Sequence, residues 1–306
     1  MSHPKIRLGT RGSALARWQA DWVTEELAKL GVAVEQIVIT TQGDTKTAPI
    51  GTLGSQGLFT KEIQRALLEE EIDLAVHSLK DLPTEEVEGL ILAAVPQRAS
   101  TNDALVSKQY GSLDELPENA RVGTGSLRRS SQLRHYRADL QILDIRGNVD
   151  TRLRKLDDGD YEAIVLAEAG LTRLGLQDRI TEIVSEQIML PAVGQGALGL
   201  ETRREDEVTR KVLQPLDDMY THSCVVAERS LLAALRGGCL APVGAVARLS
   251  DDQLHLVGTV LSSQGEQRVD AEATGGLEFA ESLGDQVAEA LFDQGAAELI
   301  ATSRQA

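Results

Sequence analysis

The sequence predicts an α/β protein: two α/β domains with largely parallel sheets, then a small α+β domain. Two observations carry the first part. Short β-branched runs alternate with helix-period segments through the first hundred residues, and the same alternation restarts near Asp103. A third carries the rest: from about Thr221 the pattern changes to one helix, a group of strands and a last helix.

Each element follows from local chemistry. KIRLG reads as the first strand, and SALARWQADWVTEELAKLG as a helix opened by Ser13 and ended at Gly31. VAVEQIVITT is a strand, FTKEIQRALLEEE a helix and IDLAVHS a strand, which gives βαβ units. AAVPQRASTND has the Pro, Ser and Asn content of a crossing linker. Beyond it DALVS, RVGTG, QILDI and EAIVLAE are strands, with helices from Ser126 to about Tyr136 and through DTRLRKL. The last part holds a helix over SCVVAERSLLAAL and strands around GAVARL, LHLVGTVLS and QRVDAEAT. A final helix lies within LEFAESLGDQVAEALFDQG.

A chain of 306 residues can form two or three domains with separate cores. Its 42% apolar and 25% charged residues are globular values, and no run approaches the roughly 18 apolar residues of a membrane helix. MSHPKIRLGT lacks an apolar signal region and a cleavage site, so a protein of the cytoplasm, or of an organelle interior after processing, with reduced thiols is expected. Two cysteines, Cys224 and Cys239, form neither a disulfide framework nor, without clustered histidines, a metal site.

A net charge of -16 argues against a general nucleic-acid or membrane-surface binder. The charge is unevenly spread. Residues 121–155 carry nine Arg or Lys against three Asp, a local +6 that leaves -22 for the remainder. Guanidinium groups grip carboxylates and phosphates in bidentate fashion, so this window suits a small ligand with several anionic groups. With 3% aromatic residues, a stacking surface for nucleic acid is the weaker alternative.

In an open α/β sheet, ligands bind beyond the carboxyl ends of the strands. Four polar clusters fall there: GTRGS with Arg11 and Ser13, HSLKD with Ser78, Lys80 and Asp81, GTGSLRR, and RGNVDTR. Ser13 and Ser126 open helices, so each reads equally as an N-cap or a ligand contact. Arg128 and Arg129 lie in the first turn of a helix, where cations oppose the macrodipole unless an anion sits beside them. Asp81, among Lys80, His77 and Ser78, could stabilise a developing cation or shuttle a proton; the alternative is a structural ion pair with Lys80. Cys224 fits a helix core, whereas Cys239, in LRGGCLAP, has the glycines of an approachable nucleophile.

Taken together, GTRGSALARWQ, GLFTKEI, DLAVHSLKDLP, VGTGSLRR, IRGNVDTRL, GLTRLGL, LPAVGQGALGLE and LRGGCLAP resemble the porphobilinogen deaminase (hydroxymethylbilane synthase) family. They span residues 6 to 242 in the family's order. The resemblance implies a transferase that joins four porphobilinogens head to tail, with loss of ammonia, and releases a linear tetrapyrrole. It implies a covalent dipyrromethane cofactor held through a thioether to Cys239, and Asp81 as the carboxylate that stabilises an azafulvenium cation. Lys80, Ser126, Arg128 and Arg129 would hold cofactor carboxylates. Arg11, Ser13, Gln19, Arg146, Arg152 and Arg173 would bind porphobilinogen or the growing oligopyrrole; Gln195 lies in a matching motif without an assigned role. The implied substrate is a small molecule, and the implied protein is a monomer without nucleic-acid or membrane partners.

The resemblance also implies two domains like periplasmic binding proteins with a cleft between them. By it, domain 1 is 1–98 with 192–217, domain 2 is 99–191, and domain 3 is 218–306. Paired domains of this kind leave a non-enzymatic solute-binding protein as the rival, one that predicts no covalent adduct. Three positions depart from the family pattern: Gln56 stands for a lysine, Gly125 for a serine and Ala14 for a proline.

Overall fold

A strand that runs out into a capping serine and then a helix is the step repeated through this fold. The computed structural model describes residues 5–40, 60–238 and 241–303. The chain begins with β1 (Ile6–Thr10), α1 (Ala14–Lys29), β2 (Val34–Val38), α2 (Lys61–Leu68), β3 (Leu74–Ser78) and β4 (Leu90–Ala94). It continues with β5 (Asp103–Ser107), β6 (Arg121–Gly123), α3 (Leu127–Tyr136), β7 (Gln141–Leu143), α4 (Val149–Asp157), β8 (Ala163–Ala167), α5 (Glu168–Arg173) and β9 (Glu182–Ile183). After β10 (Leu198–Arg203), α6 (Glu207–Leu213) and α7 (Met219–Ala234) come β11 (Val243–Ser250), β12 (Gln253–Leu261), β13 (Arg268–Gly275), α8 (Ala280–Asp293) and α9 (Ala296–Ser303).

These elements form two units, Met1–Arg98 with Ala197–His222, and Ala99–Gly196 with Ser223–Ala306. In the first unit the sheet order is β2-β1-β3-β10-β4, with β1 parallel to β2 and β3. β10 runs antiparallel to both its neighbours. Apolar residues close the faces: Leu8, Val23, Leu27, Leu74 and Leu200 gather around α1, and Ile63, Leu67, Ile72 and Leu90 around α2.

The second unit holds a sheet of the same plan, β7-β6-β8-β5-β9, in which β6 is parallel to β7 and β8 and β5 is antiparallel to β8 and β9. Both sheets are therefore mixed rather than parallel throughout. Each antiparallel strand opens the segment that follows a passage from one unit to the other, and an antiparallel strand needs no crossover helix to enter a sheet.

The same unit carries a three-stranded antiparallel sheet, β11-β12-β13, covered by α7, α8 and α9 through Leu231, Leu256, Val260, Val287, Leu291 and Ile300. α7 and α8 meet backbone to backbone at Gly284, where a Cβ would lie 2.6 Å from Ala227 O and Leu231 N. The final helical stretch is broken into two at Gly295, whose φ of +97° suits glycine. Two ties seat this small sheet. Buried Glu228 accepts the N–H groups of Gly194 (2.7 Å) and Ala247 (2.9 Å). Arg134 Nη1 donates to Ser263 O (3.0 Å), and His135 Nδ1 bonds to Gly265 O (2.8 Å).

At the amino end of β3, Asp73 joins two strands of the first sheet. It accepts from Arg7 Nε (3.0 Å) and Nη2 (2.6 Å) on β1 and from Arg203 Nη2 (3.1 Å) on β10. Burial pushes the Asp73 carboxyl up, but the Arg7 and Arg203 bonds outweigh it and hold the group below its ordinary value. A depressed carboxylate contributes stability that is present above its unfolded pKa and is lost as pH falls through its folded one. Asp73→Asn is expected to cost about 2 kcal/mol at neutral pH, and to lose less further stability than the parent on going from pH 5 to about pH 3. Urea unfolding of both proteins across that range checks it.

Candidate active site

Because β1 and β3 are parallel neighbours, their carboxyl ends share one edge of the first sheet. At that edge Arg11, Gly12 and Ser13 turn into α1, where Ser13 Oγ accepts the Ala16 N–H at 3.3 Å as an N-cap. Ala14 is the first residue of this helix, a position that proline also suits. β3 ends at Ser78 and passes into a 3-10 turn, Leu79–Asp81, which presents half-buried Lys80 and Asp81. Gln19 is buried, and its Nε2 donates to Ser78 Oγ at 2.7 Å, so α1 is fastened to the residue from which the turn departs.

His77 does not join Asp81. Its Nε2 lies 2.9 Å from Glu201 Oε2 on β10, and Glu201 Oε1 accepts from Gln64 Nε2 at 2.9 Å, all three residues buried. His77 lies within β3, beside β10, whereas Asp81 lies on the turn beyond the end of the strand.

In the second unit the parallel strands β6, β7 and β8 likewise end on one edge. Antiparallel β5 begins there, with Asp103 opposite Ala167. The Asp103 side chain is fully buried. Its Oδ2 accepts from Arg128 Nη1 (2.7 Å), and its Oδ1 from Arg129 Nε (3.0 Å), Arg129 Nη2 (2.7 Å) and Gln195 Nε2 (3.0 Å). Arg128 Nη1 also reaches Leu190 O (2.7 Å), and Arg129 Nη1 reaches Val165 O (3.0 Å). Ser126 caps α3, its Oγ accepting the Arg129 N–H at 3.5 Å.

The anion called for by arginines in a first helical turn is thus supplied in part by the protein. It balances one of two charges. Burial pushes the Arg128 guanidinium down against the pull of Asp103, and Arg128 Nε is buried without an acceptor among the described residues. An uncompensated positive charge and an unmet N–H donor fit a group that carries carboxylates, and so fit the acidic side chains of a dipyrromethane.

The remaining expected residues lie in the same unit. Arg146 Nε pairs with Asp144 Oδ2 (2.6 Å), Arg152 Nε donates to Gly147 O (2.8 Å), and Arg173 Nη2 donates to Gly196 O (2.7 Å). Burial pushes the Arg173 guanidinium down to about 10, a cost that a bound anion would reverse. Other members of the basic window are spent locally: Arg121 forks onto Glu162 and Arg137 onto Asp139. At Gly125 a Cβ would lie 3.0 Å from both Asp144 Oδ1 and Ile145 O, so the missing side chain makes room for the loop that carries Arg146.

Arg11, Ser13, Gln19, Lys80 and Asp81 therefore belong to the first unit, and Ser126, Arg128, Arg129, Arg146, Arg152 and Arg173 to the second. Cys239 and Gln56 lie outside the described residues. The approach to Cys239 is described: Gly238 has φ +60°, and a Cβ on Gly237 would lie 2.8 Å from Leu232 Cδ1. Asp103 and Glu201 escaped the sequence reading; Asp103 is the one charge in its strand, DALVS, whereas Glu201 shares its strand, LGLETR, with Arg203. Among the described residues no group of three or more His, Cys, Asp or Glu is placed to hold a metal ion, and no helix is long and apolar enough to cross a membrane.

Comparison with known proteins gives matches over nearly the whole chain. Two family profiles cover it: porphobilinogen deaminase, dipyromethane cofactor binding domain, over residues 6–211, and porphobilinogen deaminase, C-terminal domain, over residues 222–293. A porphobilinogen deaminase of Acidithiobacillus ferrooxidans is 49% identical over 304 residues, covering 98% of this chain and 99% of that protein. One of Chlorobium phaeobacteroides is 46% identical over 308 residues, covering 98% of each. Among solved structures, a nutrient binding protein from Burkholderia cenocepacia bound to methionine is similar at a TM-score of 0.43 and 15% identity, over 68% of this chain and 90% of that one. Profiles that span both its parts, and relatives matched end to end, place this chain in the porphobilinogen deaminase family, the hydroxymethylbilane synthase transferases of tetrapyrrole biosynthesis.

Proposed function

We propose that this chain condenses four porphobilinogens head to tail, with release of ammonia at each step, and then frees the linear tetrapyrrole by hydrolysis. Asp81 is the catalytic carboxylate in this reading, and Cys239 is the thioether attachment point of the dipyrromethane. The observation that carries it is the buried Arg128/Arg129 pair, left one negative charge short by Asp103. The bound dipyrromethane supplies the pyrrole carbon to which the first substrate unit is joined.

The protein's own groups do the rest. Asp81, held on a short turn with Lys80 beside it, faces the positive charge that develops on a substrate as its ammonia departs, and takes up the pyrrole proton afterwards. A carboxylate fixed in place before the reaction lowers the barrier because it need not reorganise as charge appears. Lys80, Ser126, Arg128 and Arg129 hold the cofactor's carboxylates, while Arg11, Ser13, Arg146, Arg152 and Arg173 grip the acetate and propionate arms of substrate and product. Gln19, buried against Ser78, serves the same end by fixing the turn that carries Asp81. The three-domain division at 98, 191 and 217, with residues 192–217 returning to domain 1, belongs to this reading, as do a monomeric state and a cytoplasmic location.

Intact-mass measurement of the purified protein is expected to show the mass of two condensed substrate units above the polypeptide, and Cys239→Ala to lack it. A Cys239→Ala protein that keeps the adduct places the attachment elsewhere. Asp81→Ala is expected to lower kcat by about 10²- to 10⁴-fold while the chain remains folded. Steady-state release of ammonia from porphobilinogen gives the rate, and near-parental turnover removes Asp81 from the catalytic role.

A further inference from the structure

We propose that Asp103 is a positioning residue for cofactor binding: it sets the Arg128/Arg129 pair at one net positive charge and leaves Arg128 Nε without an acceptor among the described residues. The inference rests on the reading that cofactor carboxylates lie at the start of α3. Four features of the site support it. Asp103 is 1% exposed and its side chain touches no water, so its charge is felt at short range and in a poorly screening medium. Arg129 is engaged through both Nε and Nη2, and its Nη1 is taken by Val165 O, which fixes the plane of that guanidinium. Arg128 donates to Asp103 through Nη1, and its buried Nε–H has no acceptor among the described residues. Gln195, from the loop before β10, donates to the same Oδ1 and holds the carboxylate in place.

One carboxylate against two guanidiniums is a compromise between two demands. With no carboxylate, two like charges would sit buried side by side before the cofactor arrives; with two, nothing would remain to attract it. Asp103 thus makes the cofactor-free chain tolerable and the loaded chain complete. A residue that only braced the fold would contribute equally to both.

Four proteins separate these cases: the parent and Asp103→Asn, each with and without Cys239→Ala. Loading is read by intact mass, and melting temperature by calorimetry. Asp103→Asn is expected to lower the melting temperature by about 10 °C in the Cys239→Ala background and by less than half as much in the loaded form, because bound carboxylates then supply the missing charge. Equal falls in both backgrounds overturn the proposal. An adduct absent from the parent itself would instead sink the underlying reading of the site, so the two failures are distinct. Where Asp103→Asn fails to accumulate, Asp103→Glu takes its place in the same comparison: a larger fall in melting temperature in the Cys239→Ala background than in the loaded form supports the proposal, and equal falls overturn it.

Discussion

A single buried carboxylate determines how the second α/β half is assembled. Asp103 can meet Arg128 and Arg129 only because β5 runs against β8, which brings its first residue to the edge where α3 begins. That edge is also where two passages of the chain lie against each other. Ala99 N–H donates to Gly196 O at 3.1 Å, and a Cβ on Gly196 would lie 2.5 Å from the carbonyl oxygens of Ala99 and Ser100. With φ at +83° as well, position 196 accepts glycine and little else. Gln195 then bridges the pair by donating to Thr101 O (2.7 Å) and to Asp103 itself. Charge compensation, strand direction and the close backbone approach are consequences of one arrangement.

Much of this was readable in the sequence, for reasons that also mark where reading stops. Strand, cap and helix are neighbours along the chain, so GTRGS and GTGSLRR announced both the helices and the edge at which they begin, and both serines cap as helix-opening serines should. Arg128 and Arg129 announced an anion because a first helical turn repels cations. What could not be read was which anion. Asp103 lies 25 and 26 residues away from its partners, and Glu201 lies 124 from His77, so no local period relates them. β4 and β10 do not read as strands at all in the sequence, and the expected linker AAVPQRASTND begins inside β4, because neither LILAA nor LGLETR alternates as a half-buried strand does. The basic window was overread for a related reason: Glu162, beyond its end, already satisfies Arg121.

The distribution of roles over the two units gives the last step. α3 begins at the arginine pair and ends against the small sheet, where Arg134 and His135 hold the carbonyls of Ser263 and Gly265. At Gly265, φ is +76° and a Cβ would lie 2.5 Å from Ser131 O, so the turn seats directly on the helix. Glu228 makes a second tie, from α7 to Gly194 and to β11. Cys239 follows α7 in the same unit. On the proposed assignment, the covalent tether and the arginine pair therefore belong to one unit, while Lys80 reaches the cofactor from the unit that carries Asp81. A catalytic carboxylate that does not also carry the tether can act on each incoming substrate in turn, because the covalent bond that keeps the chain attached is supplied from the other unit.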